Sequence, residues 1–344
     1  MENKVRNTHV DSLRGLAVIL MVMVHAAATW NPYQSTQTTL IAYIVAGLGG
    51  LAAPLFVTIF GWGLINSQSI FRSNAIKALM LIILQIIVNL TSPHLYDTFS
   101  PGILSLFAML ILLKPLIIYC SKTPRDFIIT ILIIFSTLVV SMNFENLQGV
   151  NDWDYRVAVA SNFDFVKHLI LTGTYPLFPW ITFAIIGAFL GSTGKEGNDV
   201  PPRNNTVFLL IIIGLIYCII TLSLSISKNV IWAHPTKGDY LNFFPANLGF
   251  MIASITGVMI LGLIINQLNI IIFQNAGKLS LTIYVIHFIP LSLMSNYEVY
   301  YSWNAVEASL VVAIYATTWL IFAFIWKRYQ WLTIDNLIRR LSKV

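Results

Sequence analysis

Charged side chains are scarce in this chain: Asp, Glu, Lys and Arg make up 10% of its 344 residues, against about 25% in an ordinary soluble domain. Hydrophobic residues make up 57% and the mean hydropathy is +0.77, so no stretch stands out as a separate soluble domain. Cysteine is nearly missing. The two present, Cys120 and Cys218, fall near or within apolar segments and exclude a disulfide framework. Strict alternation of apolar and polar residues is also missing: FIITILIIFSTLVV is apolar on every side, which argues against a β-barrel. No direct or inverted internal repeat is visible, which weakens a transporter reading. The six histidines include no i, i+4 pair and no second ligand set accompanies them, so no metal is expected.

What the chain does have is a series of charge-poor apolar runs, at roughly 13 to 30, 40 to 66, 75 to 91, 101 to 119, 126 to 142, 176 to 192, 206 to 226, 246 to 266, 278 to 295 and 304 to 326. Lipid cannot satisfy free backbone groups, so these runs predict an all-α polytopic transmembrane helix bundle of about ten helices. If the N-terminus is cytoplasmic, only Arg156, Lys167, Lys228 and Lys237 of the 20 Lys and Arg fall outside. That bias places both termini in the cytoplasm. The net charge of +6 is then mostly inner-face asymmetry, and no nucleic acid is expected as a partner. Residues 1–344 read as a single transmembrane domain with a cytoplasmic tail from about 327 to 344. A signal peptide is disfavoured because Asp11, Arg14 and His25 interrupt the first apolar stretch.

The longest connection, about residues 143 to 175, is expected outside and carries NDWDYR, residues 151–156. It reads either as a lid or as a solvated loop with an interfacial tryptophan. The inner segment GSTGKEGNDVPPRNN has the composition of a hinge. Gly47, Gly50 and Ala53 recur at close to one-turn spacing, which predicts a tight helix approach, with Pro54 tolerated if its neighbours re-satisfy the freed carbonyl.

Ionisable groups inside a bilayer are costly and ask for a reason. Arg14 and His25 are eleven residues apart, which at 100° per residue leaves them about 20° apart around the first helix, with Asp11 in the same arc. This face must look into the protein. Asp11 and Arg14 also stand at i, i+3, where an ion pair forms naturally. Arg14 therefore reads either as a structural pair at the inner interface or as an anchor for phosphate oxygens. In the ninth run, Ser280, Tyr284 and His287 share another face. His25 lies about 16 Å above Arg14, and His287 about 13 Å above Lys278, so both imidazoles arrive near the midplane. An imidazole there can serve as a general base. Gln85, Asn89 and Asn247 either line the cavity or bond between helices.

Four stretches in order, RNTHVDSLRGLAVILMVMVH, APLFVTIFGWGL, YPLFPWITFAIIGAFLGS and GKLSLTIYVIHF, resemble the heparan-alpha-glucosaminide N-acetyltransferase family across residues 6 to 288. The Arg14 to His25 spacing also resembles membrane O-acyltransferases that decorate bacterial glycans. Animal lysosomal members are similar to this chain with Asn at the position of His25 and a catalytic His shortly after, whereas no histidine occurs here between His25 and His94. The resemblance implies a transmembrane acyltransferase domain that takes acetyl from cytosolic acetyl-CoA, as acyl donor substrate, and delivers it to an amino or hydroxyl group of a sugar or glycan on the far side. Its residue-by-residue carry-overs are Arg14 and His25, then Asp11 and His287; the expected catalytic residues are His25, His287 and Asp11, with the CoA phosphates expected near Arg14 and either Arg72 or Lys77. Direct transfer is preferred to an acyl-enzyme, since no activated Ser or Cys is apparent. Expected partners are acyl-CoA, the glycan acceptor and the lipid of the cytoplasmic membrane; a homodimer is allowed. The rival readings are a secondary transporter or lipid flippase with proton-coupling histidines, and a non-catalytic scaffold.

Overall fold

Asn7 starts the first helix: its side-chain oxygen accepts the Val10 N–H at 3.2 Å, satisfying one of the donors a helix start leaves open. The computed structural model describes residues 7–32, 40–193, 200–268 and 270–342. Lys4, Arg6, Lys195 and Lys343, which carry part of the charge-bias argument, and much of the inner hinge segment lie outside the described residues. The helices are α1 Thr8–Thr29, α2 Leu40–Ile65, α3 Phe71–Thr91, α4 Ile103–Leu112, α5 Lys114–Cys120, α6 Pro124–Ser141 and α7 Leu177–Thr193. They continue as α8 Asn205–Lys228, α9 Leu248–Gln267, α10 Ile271–Lys278, α11 Ser280–Ile286, α12 Phe288–Leu293, α13 Ala305–Trp326 and α14 Ile334–Leu341. Two short strands, β1 Ala233–His234 and β2 Leu241–Asn242, pair in parallel between α8 and α9.

Seven helices among the described residues are long and apolar enough to cross a membrane, and the number reaches ten if each of three bent pairs is one span. The bends are 74° between α4 and α5, 45° between Asn162–Thr172 and α7, and 69° between α10 and the segment Ser280–Tyr300. Proline accounts for part of this. Pro115, just past the α4–α5 junction, has no N–H to return to the carbonyl of Ile111; Pro290 has none for Ile286, which marks a separate interruption between α11 and α12, and no proline stands at the α10 bend.

The most apolar 18-residue stretch is half buried in α1, in Gly47–Ile65 of α2 and in α9, against 17% in α6 and 22% in α8. The first group is the core, and the second presents side chains such as Leu209, Ile213 and Ile216 outward, as a lipid-facing helix must. Glycine brings the core helices together at two crossings. A Cβ on Gly15 would lie 1.8 Å from the carbonyl oxygen of Phe273, and one on Gly277 1.8 Å from that of Asp11, so α1 and α10 touch backbone to backbone. The same holds for α2 and α7, where Gly61 meets the Ala184 carbonyl and Gly187 the Thr58 carbonyl. Gly47 and Gly50 behave otherwise. A Cβ on either meets nothing within 4 Å, so the tight approach expected there is not made; spacing identifies small residues but not the surface they face.

Polar residues tie the ends. Gln85 bonds Asn89 and the Leu104 N–H, while Asn89 donates to the carbonyls of Thr98 and Ser100, closing α3 onto α4. Asn247 caps α9. The chain after α13 folds back: the Asp335 carboxylate accepts the N–H groups of Leu281 and Thr282 and the Thr282 hydroxyl, capping α11 from another element. Between α6 and α7, the buried Arg156 donates to the carbonyls of Gln148, Thr172 and Gly173, which pins that segment in place.

Candidate active site

A cavity of about 1200 Å³ extends along α1 from Arg14, past Met21 and His25, to Ala28. Near Arg14 it is lined by Lys278 at the end of α10, by Ser280, and by Asp335, Asn336 and Arg339 of α14. Near Ala28 it is lined by His94, Tyr96, Trp153, Tyr175, Trp232 and His234. Gly47, Gly49, Gly50 and Ala53 of α2 form part of the wall, so the small residues widen this space.

His25 stands between the two ends. Its Nδ1 lies 3.0 Å from Nε2 of His287, with ring centroids 5.2 Å apart and planes 9° from parallel, the edge-to-edge arrangement that an N–H···N bond between two imidazoles requires. The two histidines that helical rise places at similar depth thus meet directly, 262 residues apart in sequence. His25 lines the cavity, whereas His287 is fully buried behind it. The helix break after Ile286 lets Nδ1 of His287 reach the carbonyls of Ile283, 3.0 Å, and Tyr284, 2.8 Å. The Tyr315 hydroxyl donates to the His287 carbonyl, holding the break from α13.

Arg14 pairs with Asp11 at 3.4 Å, with side-chain exposures of 33% and 2%. The aspartate is buried under the guanidinium and does not line the cavity; Arg14 does. Arg72 is exposed on the first turn of α3, and neither it nor Lys77 lines the cavity. Lys114 Nζ, by contrast, donates to the Ser67 carbonyl at 2.7 Å. Nearness to one membrane face in sequence does not decide which way around α3 a side chain points. Lys278 and Arg339 line the cavity with Arg14. Arg339 lies in the tail, where the sequence carried no signal beyond its charge.

At the other end the rings interlock: Trp153 packs against Tyr96 at 5.9 Å and Phe244 at 5.3 Å, and its indole N–H donates to the Leu95 carbonyl at 3.2 Å. Of the two readings of the NDWDYR segment, the structure favours the cover. Nδ1 of His234 accepts the N–H groups of Thr236 and Lys237 at 3.1 and 3.0 Å, so its hydrogen sits on Nε2. Burial, with Lys237 beside it, holds this imidazole below its ordinary value. Among the described lining residues this end has no carboxylate. No group of three or more His, Cys, Asp or Glu with metal-binding geometry occurs among the described residues.

A helical bundle with spans enough for a polytopic membrane protein thus holds a buried imidazole pair that opens on a cavity with a basic end and an aromatic one. The chain belongs to the heparan-alpha-glucosaminide N-acetyltransferase family, whose catalytic-domain profile matches residues 6–226. This is an acetyltransferase family. The match includes α1 with Arg14 and His25 and ends within α8, before Lys278, His287 and Arg339. None of the curated proteins compared with the chain matches it.

Proposed function

We propose that this chain is a transmembrane acyltransferase that moves acetyl from cytosolic acetyl-CoA to an amino or hydroxyl group of a sugar or glycan on the extracytoplasmic side. Residues 1–344 form one such domain in the cytoplasmic membrane, with both termini inside. The observation that carries the reading is one continuous cavity with Arg14 at one end, His25 between and aromatic rings at the other.

The phosphates of acetyl-CoA occupy the Arg14 end, where guanidinium groups suit phosphate oxygens. Arg14, Lys278 and Arg339 are better placed for this than Arg72 and Lys77. Helical rise puts His25 about 16 Å from Arg14, a separation that the extended pantetheine arm of CoA can bridge. The acceptor enters past Trp153. Nε2 of His25 takes the proton of its hydroxyl or amine as the oxygen or nitrogen bonds the thioester carbon. The carbon–sulfur bond then breaks, and the CoA thiolate recovers that proton from His25. Asp11 orients Arg14 and does not meet the reacting atoms. Direct transfer fits the lining: Ser254 already donates to the Phe250 carbonyl at 2.5 Å, and Cys218 has no base among its described partners.

The test is acetyl-CoA consumption and free-thiol release by the purified protein in lipid nanodiscs, screened against sugars and glycans. Acceptor-dependent thiol release is expected. Movement of a solute across a vesicle membrane with acetyl-CoA untouched would establish the transporter reading instead. A cysteine placed at position 153 should label from outside; labelling only from the cytoplasm would reverse the orientation.

A further inference from the structure

The two histidines are not equivalent. Both partners of His287 Nδ1 are backbone carbonyls, which can only accept, so the ring hydrogen of His287 sits there. A neutral imidazole carries one N–H, and Nε2 of His287 is therefore an acceptor. The group facing it at 3.0 Å, Nδ1 of His25, must then donate. That leaves Nε2 of His25 with the lone pair, on the ring that lines the cavity, and it makes no hydrogen bond to a described residue.

Nothing else around the pair supplies this direction. The rings nearest His287 are Phe288 at 4.0 Å, Tyr284 at 6.1 Å and Trp319 at 6.2 Å, and Phe288 also covers His25 at 4.8 Å. The remaining hydroxyl in contact, that of Tyr315, is directed at the backbone. His287 itself is fully buried and outside the cavity lining, so no acceptor reaches it.

We propose that His287 is a positioning residue: it locks His25 in the Nδ1–H form, so that Nε2 faces the acceptor as the base, and takes no substrate proton itself. The chain of bonds runs from the helix break, through His287, to His25, and each ring can pass the constraint because each has one donor and one acceptor. When His25 gains the acceptor proton, its Nδ1–H still bonds His287, which supports the imidazolium without a buried carboxylate. The effect on turnover rests on the acyltransferase reading. The tautomer does not.

Ring-15N-histidine NMR on the full chain in nanodiscs, assigned by subtraction with His25→Ala, reads the tautomer. Wild type should show His25 protonated at Nδ1 and bare at Nε2. His287→Leu should release His25 toward the Nε2–H form and lower kcat roughly tenfold to a hundredfold, the usual scale for removing the partner that orients a working histidine, with acetyl-CoA Kd unchanged. His287→Gln, which restores an acceptor amide oxygen, should recover the Nδ1–H form and most of kcat. A wild-type His25 protonated at Nε2, or a tautomer indifferent to His287→Leu, would overturn the proposal. So would turnover that survives His25→Ala and is abolished by His287→Leu, since His287 would then be the base. If no acyl transfer is found with any acceptor, the NMR result still decides the positioning role, and the failure belongs to the function alone.

Discussion

The two ends of the cavity are made of different chemistry, although the same helix, α1, lines both. At the Arg14 end three cationic side chains come from α1, α10 and α14, with Asp335 among them. At the Trp153 end the lining is aromatic, its polar members being the imidazoles of His94 and His234 and the phenols of Tyr96 and Tyr175. A polyanion is drawn to the first end and has no cation to hold it at the second. The second end offers flat apolar faces and neutral hydrogen-bonding groups, as a small polar acceptor needs. The contrast teaches that substrates of opposite character can be kept apart along one path and meet at the imidazole between them.

The sharpest way to break this picture is at its middle. His25→Ala should reduce kcat by about 10² to 10⁴, the usual worth of a general base, with both ends still binding; isothermal binding of acetyl-CoA beside turnover measures this. A loss below about tenfold would make His25 a packing residue. Next comes the crossing that holds the Arg14 end together. Gly277→Val should destabilise the fold by about 1 to 3 kcal/mol, the usual cost of overpacking, because its Cβ would enter the Asp11 carbonyl. A thermal midpoint equal to wild type in the same detergent would mean that α1 and α10 do not touch as described.

Arg14→Lys keeps the charge but loses the forked donors, and should weaken acetyl-CoA binding about tenfold, which is about 1.4 kcal/mol. Unchanged binding would confine Arg14 to its pair with Asp11. Trp153→Ala, at the opposite end, should raise the acceptor KM by roughly threefold to tenfold, as loss of an aromatic contact does, and leave acetyl-CoA Kd alone. Equal effects on both substrates would dissolve the distinction between the ends.

The smallest effect is one of pH. The folded His234 imidazole lies below its unfolded value of 6.5, so below about 6.5 the unfolded segment binds more protons than the folded one. Its contribution is complete above that value and declines as pH falls through the folded pKa. Hydrogen exchange in residues 231–242 should therefore quicken on acidification, and His234→Asn should flatten that dependence. Exchange independent of pH after correction for intrinsic rates would remove His234 as the clasp of this loop.

Much of the architecture can be read directly from residue order. Each of the ten apolar runs contains helix in the structure, yet the fourth is bent inside its bounds and the bends beside the sixth and ninth fall at or before their first residues, because hydropathy counts apolar residues and carries no direction. The shared face of Arg14 and His25 follows from helical geometry alone, and both do line the cavity. Gly47 and Gly50 were open to misreading for the converse reason: small residues serve equally to let a helix approach or to leave space, and the neighbour decides. Gln85, Asn89 and Asn247, equally placed for either role, bond to loops and helix ends and do not line the cavity. Tyr96, Tyr175 and Trp232 escaped notice because each lies in a connection, where no periodicity marks a face.

By itself, the sequence determined that this chain is a bundle of apolar helices, that a few polar residues inside it require partners, and that Arg14 and His25 share a side. These follow from local rules, since lipid leaves the backbone no choice but helix and the helix turns by a constant angle. Tertiary structure alone decided that His25 meets His287, that Lys278 and Arg339 rather than Arg72 and Lys77 stand beside Arg14, and that the tail returns to cap α11. Those outcomes depend on where glycines let backbones touch and prolines bend them, and contacts between residues hundreds of positions apart are set by the sum of such crossings.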